Sequence, residues 1–284
     1  MDIGFDTAIL IGLVTAGAGI LGSMLGLGGG VFIVPILSIF FGIDLKTVIA
    51  ASAVSVIANS VVGSSVHLRS RFTNLRLALL MEIATTVGAL AGGLIAVFLA
   101  PNALRAIFGV VMLYVAYAML RRSRQGSGKV KHSGEDPLRL GATYHDPATG
   151  LKEHYIPQHM LLGVPVSAIA GVFSGLLGIG GGVIKVPIMN TIMNVPVKAA
   201  AATSTFMVGI TVSASAFVYY SEGYIDPRVT VPAMLGIFIG ARVGAQFSRR
   251  FRSATLVKIL VVIMLYLAVS LLLQAAGIKV PGAR

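Results

Sequence analysis

Gly26-Leu27-Gly28-Gly29-Gly30-Val31, with Pro35 four residues on, recurs as Gly178-Ile179-Gly180-Gly181-Gly182-Val183, with Pro187 four residues on. The offset is 152 residues, the difference between 178 and 26. The same offset pairs Lys46 with Lys198, Ser52 with Ser204, Arg76 with Arg228, Gly88 with Gly240, Gly92 with Gly244 and Tyr114 with Tyr266. No gap is needed from about residue 19 to about residue 120. One glycine cluster can recur by chance in a glycine-rich chain. A constant offset over about a hundred residues does not, so the chain is read as an internal duplication.

The repeats lie in a sequence that water does not suit. Of 284 residues, 56% are hydrophobic and 11% charged, and the mean hydropathy is +0.91. A soluble domain carries about 25% charged residues. Lipid must solvate most of this surface. Ten apolar segments follow, at 7–25, 31–42, 46–68, 75–99, 103–120, 158–177, 183–194, 198–220, 229–247 and 254–274. Most can cross a core of about 30 Å at about 1.5 Å per residue. The second and seventh, at about a dozen residues, supply only about 18 Å. They are expected to span in part, or to pair with the preceding helix across a break.

The fold class is therefore an all-α integral membrane protein of two five-segment repeats, with broken or short helices at the glycine motifs. The divisions are an N-terminal transmembrane repeat at 1–121, a loop at 122–157 and a C-terminal transmembrane repeat at 158–284. The long polar stretch from Arg121 to Pro157 holds Arg121, Arg122, Arg124, Lys129, Lys131, Arg139 and Lys152. That excess places it in the cytoplasm of a bacterial inner membrane. Within it, Thr143 to His145, Asp146 to Gly150 and Leu151 to Tyr155 read as strand, turn and strand, a small hairpin.

Five segments per half is an odd number, so the second half should enter the membrane inverted. Loop charges agree. The 69–76 loop carries Arg69, Arg71 and Arg76, and the 248–253 loop carries Arg249, Arg250 and Arg252; both fall inside. The 221–228 loop carries Glu222 and Asp226 against Arg228, and falls outside. If the short segments fail to cross, the halves become parallel instead. The net charge of +12 is thereby accounted for by orientation rather than by nucleic acid. Met1 to Asp6 is acidic, so no cleavable signal peptide is expected. Cysteine is absent, which removes disulfides, thiolate metal sites and thiol nucleophiles.

Four glycines in five residues break a helix, at roughly 1 kcal/mol each. Irregular backbone at membrane depth persists only when buried in protein or lining a wet cavity. The helix is expected to resume near Pro35 or Pro187, since proline fits a first turn. Its free N–H groups and positive dipole end would suit an anion. Gly28, Gly29, Gly30 and Pro35, with Gly180, Gly181, Gly182 and Pro187, are thus candidate substrate-binding residues. The alternative is close helix packing, which explains Gly88-x-x-x-Gly92 and Gly236-x-x-x-Gly240-x-x-x-Gly244.

Charged residues inside spans break the repeat symmetry. Lys185 stands where the first half has Ile33, Arg242 where it has Leu90, and Glu82 where the second half has Met234. An intramembrane charge is costly unless paired or hydrated. Lys185, three residues past a glycine cluster, is a candidate substrate contact, with snorkelling to an interface as its alternative. Glu82 can relay a proton or pair with Lys185 or Arg242. Arg242, near a cytoplasmic end, can also snorkel. Ser52, Asn59, Thr203, Ser204 and Thr211 either line a path or bond helix to helix.

The paired Gly-x-Gly-Gly-Gly stretches, each followed by an apolar run with Pro35 or Pro187, resemble the sulfite exporter TauE/SafE family of membrane permeases. The resemblance covers both transmembrane halves and is carried by the duplicated glycine motif. It implies export or uptake of sulfite, organosulfonates or related small anions.

Residues and resemblance converge on a secondary transporter for a small anion. An anion channel is the alternative. An intramembrane enzyme is less supported: no His-Glu-x-x-His or paired intramembrane aspartates occur, and only Ser204 with Lys185 offers a dyad. No Gly-x-x-x-x-Gly-Lys-[Ser/Thr] loop is present, so ATP hydrolysis is not expected. His132, His145, His154 and His159 lie in or beside the central loop at spacings that suit no metal. No cofactor or metal is called for. The partners are a small anion and the bilayer, not nucleic acid, with self-association into a homo-oligomer open.

Overall fold

The computed structural model describes residues 4–25, 28–69, 72–124, 136, 138–145, 152–247 and 254–278. It is overwhelmingly helical. The first half holds α1 (Phe5–Leu25), α2 (Gly30–Phe40), α3 (Leu45–Arg69), α4 (Leu75–Phe98) and α5 (Pro101–Arg124). The second holds α6 (Met160–Leu177), α7 (Gly182–Pro187), which continues as a π-helical stretch Ile188–Ile192, then α8 (Val197–Ser221), α9 (Pro227–Phe247) and α10 (Ala254–Ala275). Among the described residues, six helices are long and apolar enough to cross a bilayer: α1, α3, α4, α5, α6 and α8.

Between the halves, β1 (Ala142–His145) pairs antiparallel with β2 (Lys152–Tyr155), setting Thr143 opposite His154 and Tyr144 opposite Glu153. The expected turn at 146–150 lies outside the described residues, as do Arg71, the 248–253 loop and most of the basic central stretch. The hairpin is docked, not free. Asn74, the N-cap of α4, accepts from Leu77 N–H and donates through Nδ2 to the Leu140 carbonyl at 2.8 Å. Arg76 donates to the Arg139 carbonyl at 2.9 Å. Phe72 and Tyr144 stack at 5.3 Å. Burial pushes the Tyr155 hydroxyl up to about 12, so it stays protonated at neutral pH.

Helix packing follows the glycines. A Cβ on Gly236, Gly240 or Gly244 would lie 2.1, 2.0 or 2.4 Å from the carbonyl oxygens of Gly12, Ala16 or Ile20. Both series ascend, so α9 runs parallel to α1. At the same offset of 152, a Cβ on Gly88 or Gly92 would lie 2.2 or 2.1 Å from the carbonyls of Ala168 or Val172. So α4 runs parallel to α6, and each pair repeats the other with the halves exchanged. In contrast, Gly63 of α3 lies against Thr205 of α8, while Ser60, a turn earlier, lies against Gly209, a turn later. Hence α3 and α8, which occupy equivalent places in the two halves, run antiparallel.

Backbone contact this close leaves no room for a side chain. Gly240→Leu should therefore cost about 3 kcal/mol through overpacking. That is about 5 °C in the melting temperature of a chain this size, measured on detergent-solubilised protein. An unchanged melting temperature would mean that α1 and α9 do not meet as described.

The expectation that each helix resumes at its proline is corrected. α2 starts at Gly30 and α7 at Gly182, which makes Pro35 and Pro187 the sixth residue of each helix. The glycines themselves start the helices, with Gly29 and Gly181 as left-handed N-caps at φ +82° and +65°. Proline inside a helix withdraws a donor from the carbonyl four residues back and crowds that turn. After Pro187 the helix widens into the π stretch, a local change of the kind a missing donor permits. Its counterpart after Pro35 stays α-helical.

Candidate functional site

The two glycine breaks touch. A Cβ on Gly30 would lie 2.8 Å from the Gly178 carbonyl and 2.9 Å from the Ile179 Cα. Ser52 Oγ of α3 donates to that same Gly178 carbonyl at 2.9 Å. Gly28 and Gly180 both press on Val56 of α3 and Val208 of α8. These valines are themselves a pair at the offset of 152. Four positive φ values, at Gly28, Gly29, Gly180 and Gly181, explain why glycine is needed at these positions. A Cβ would strain the backbone and fill the seam where the halves meet.

One turn along α8 from Val208 stands Thr211, the centre of a buried polar network. Lys185 is fully buried, and Glu82 is 4% exposed. Lys185 Nζ donates to Thr211 Oγ1 at 2.5 Å. Thr211 Oγ1 in turn lies 2.5 Å from Glu82 Oε1, as donor. The charges also face one another directly, Nζ to Glu82 Oε2, at 3.7 Å. Thr86 donates to Glu82 Oε1 at 3.1 Å, and Thr85 lies 3.4 Å from Thr211. The network thus joins α4, α7 and α8 at one point through charge-assisted hydrogen bonds.

The network is closed toward the hairpin. One turn in that direction from Lys185 and Thr211 stand Met189 and Met207, and Met81 precedes Glu82. All three are fully buried, in one cluster with Leu77, Met193, Tyr144 and Tyr155.

The positions related to the charged pair by the offset carry no charge. The offset that carries Lys185, Glu82 and Thr211 leads to Ile33, Met234 and Asn59. Asn59 is buried, and its Oδ1 has no partner among the described residues. The other predicted residues separate. Thr203 Oγ1 accepts from Asn74 N–H at 3.0 Å, which anchors the hairpin end of α4 rather than a path. Ser204 is fully buried, its Oγ unpartnered among the described residues. Pro35 is buried in the α2 core. Pro187 instead lines an apolar groove of about 650 Å³ with Val110, Phe173 and Ile188, which does not include Lys185. Arg242 is exposed, on the side of α9 away from the glycines that bind α1, and takes no part in the network. Of the two partners offered for Glu82, the carboxylate faces Lys185; Arg242 turns outward on α9.

Thr85 and Thr86 were not among the residues picked from the sequence. They lie three and four positions after Glu82, where a helix brings side chains onto one face, and that spacing was the available signal. No cluster of three or more metal-ligating side chains occurs among the described residues.

The model of the sulfite exporter TauE/SafE family matches residues 10–271. The chain belongs to the sulfite exporter TauE/SafE family. Its TauE/SafE relatives are membrane transporters by description. The probable membrane transporter protein YunE of Bacillus subtilis is 23% identical over 278 residues, covering 95% of this chain and 98% of YunE. A probable membrane transporter protein of Methanocaldococcus jannaschii is 25% identical, covering 85% of each. Another from Xylella fastidiosa is 26% identical, covering 85% of this chain and 87% of its own length. No solved structure matches this TauE/SafE chain.

Proposed function

We propose that this chain is a secondary transporter for a small anion, sulfite, a sulfonate or a related sulfur-containing or organic anion, across the bacterial inner membrane. Lys185 is the substrate contact, and the glycine seam of Gly28–Gly30 and Gly180–Gly182 is the passage beside it. The observation that carries this reading is a fully buried lysine three residues past the second break, bonded to Thr211 one turn along α8 from Val208, on which both breaks pack. A buried cation is retained at a cost of several kcal/mol, which packing alone does not repay. Family membership supports a permease; the substrate and the site residues are this reading's own.

The halves are read as inverted, with the hairpin cytoplasmic. Parallel α1 and α9, parallel α4 and α6, and antiparallel α3 and α8 support a twofold relation about an axis in the membrane plane. A relation about the membrane normal would make equivalent helices parallel. Since the native chain has no cysteine, Glu222→Cys tests the orientation. A membrane-impermeant maleimide should label it in intact cells. Labelling only after the membrane is opened would place the hairpin outside.

The transport reading is tested in proteoliposomes with sulfite, thiosulfate, sulfonates and carboxylates. Saturable uptake and counterflow are expected for at least one. Conducted current without saturation or counterflow would make the protein an anion channel.

A further inference from the structure

The pair at the centre of the site is incomplete. An ammonium has three N–H donors, and Lys185 uses one, toward Thr211. Its approach to Glu82 Oε2 is 3.7 Å, beyond hydrogen-bond length. Glu82 Oε2 accepts no hydrogen bond among the described residues, though it is buried. Two donors and one carboxylate oxygen therefore stand unused, face to face, inside the protein.

We propose that the substrate anion takes the place of Glu82 at Lys185, and that Glu82 takes up a proton as it is displaced, so that anion and proton cross together. This rests on the transport reading above. The reason is charge. The empty site holds one positive and one negative group and is neutral. An anion joining them would leave a net buried negative charge, at a cost of several kcal/mol. One proton on Glu82 restores neutrality: the carboxylate becomes a carboxylic acid and no other bond changes. The acid finds an acceptor at once, because Thr211 Oγ1 lies 2.5 Å from Oε1. That hydroxyl reverses its role from donor to acceptor.

No other carboxylate lies on α5, α6, α7 or α8, the helices around the pair; α5 brings Tyr114 to the groove beside Ile184 and Pro187. α6 carries no titratable side chain, and Lys185 is the only one on α7 and its π stretch. α4 adds only Arg76, bonded at the hairpin. α8 adds Lys198, Tyr219 and Tyr220, all near its ends. Tyr144 and Tyr155 of the hairpin complete the surroundings, across the methionine layer.

The cycle makes two demands. The loaded site crosses as Lys185 ammonium, anion and protonated Glu82. The empty site returns as the neutral pair. Glu82→Gln imitates the protonated acid, so it should load and exchange anion. It should not return empty, because Lys185 would then be buried without a counter-charge.

The test uses the full chain in proteoliposomes clamped at zero potential, with methanesulfonate as probe. It is a monoanion, as the charge count requires, and binds no proton near neutral pH. A pH dye is trapped inside. Inward anion movement should acidify the lumen by one proton per anion. Glu82→Gln should lose net uptake by more than about tenfold while exchange of labelled for unlabelled anion continues. Wild-type uptake that leaves lumenal pH unchanged would overturn the proposal, with no variant needed. So would wild-type net uptake by Glu82→Gln, or loss of exchange in a Glu82→Gln protein that stays monodisperse. Absence of any anion flux in the wild type would overturn the transport reading as well.

Discussion

Lys185→Ile is expected to reduce anion uptake to that of protein-free liposomes. Isoleucine is what the first half carries at the equivalent position, Ile33, which is fully buried, so the shape is tolerated in this fold. The variant removes the proposed anion contact and strands Glu82. Breaking one side of a buried ion pair costs about 3–5 kcal/mol, so a loss of flux alone would leave stability as a rival explanation. Lys185→Ile with Glu82→Met separates the two. It copies the residues at the positions related by the offset, Ile33 and Met234, and replacing both charges by apolar groups is about neutral or stabilising. The double variant should regain the wild-type melting temperature and still transport nothing. Flux recovered together with stability would remove Lys185 from the site and leave it a packing charge.

The second large effect is expected at the glycine seam. Gly29→Val and Gly181→Val should each lower transport by more than about tenfold. A β-branched residue at positive φ is a steric outlier, at about 1–2 kcal/mol. Both positions are crowded as well. A Cβ at Gly29 would meet Ile237 Cδ1 at 2.8 Å, and one at Gly181 would meet the Ala170 carbonyl at 3.0 Å. Repacking of this kind costs about 1–3 kcal/mol more. Gly223 supplies the control, with φ +75° and nothing within 4 Å of a Cβ. Gly223→Val carries the same backbone strain on an open loop and should transport normally. Equal activity in all three would mean that the breaks are only packing devices.

Much of this was legible in the chain because it depends on local pattern. The breaks show as consecutive glycines, the hairpin as two short β-prone runs. Lys185 stood out because Ile33 showed what the position otherwise holds. What was not legible depends on which helices meet. Lys185 and Glu82 lie on different halves, and nothing local says that α4 crosses to pack on α6 and α8. Thr203 looked like a path residue, but the hairpin claims it through Asn74. Arg242 looked like a partner for Glu82, but its face of α9 turns outward. The prolines were misplaced because a first-turn preference was applied where glycine had already begun the helix.

The strand pair between the halves is built at one end of the molecule only. Two halves related by exchange would, left alone, give a carrier indifferent to which side it opens toward. The docked hairpin adds its hydrogen bonds, its aromatic stack and its tyrosine wedge to a single side of that balance. The carrier should then rest with that door shut, and half-saturation for the same anion should differ between the two faces by the fraction of molecules that have it open.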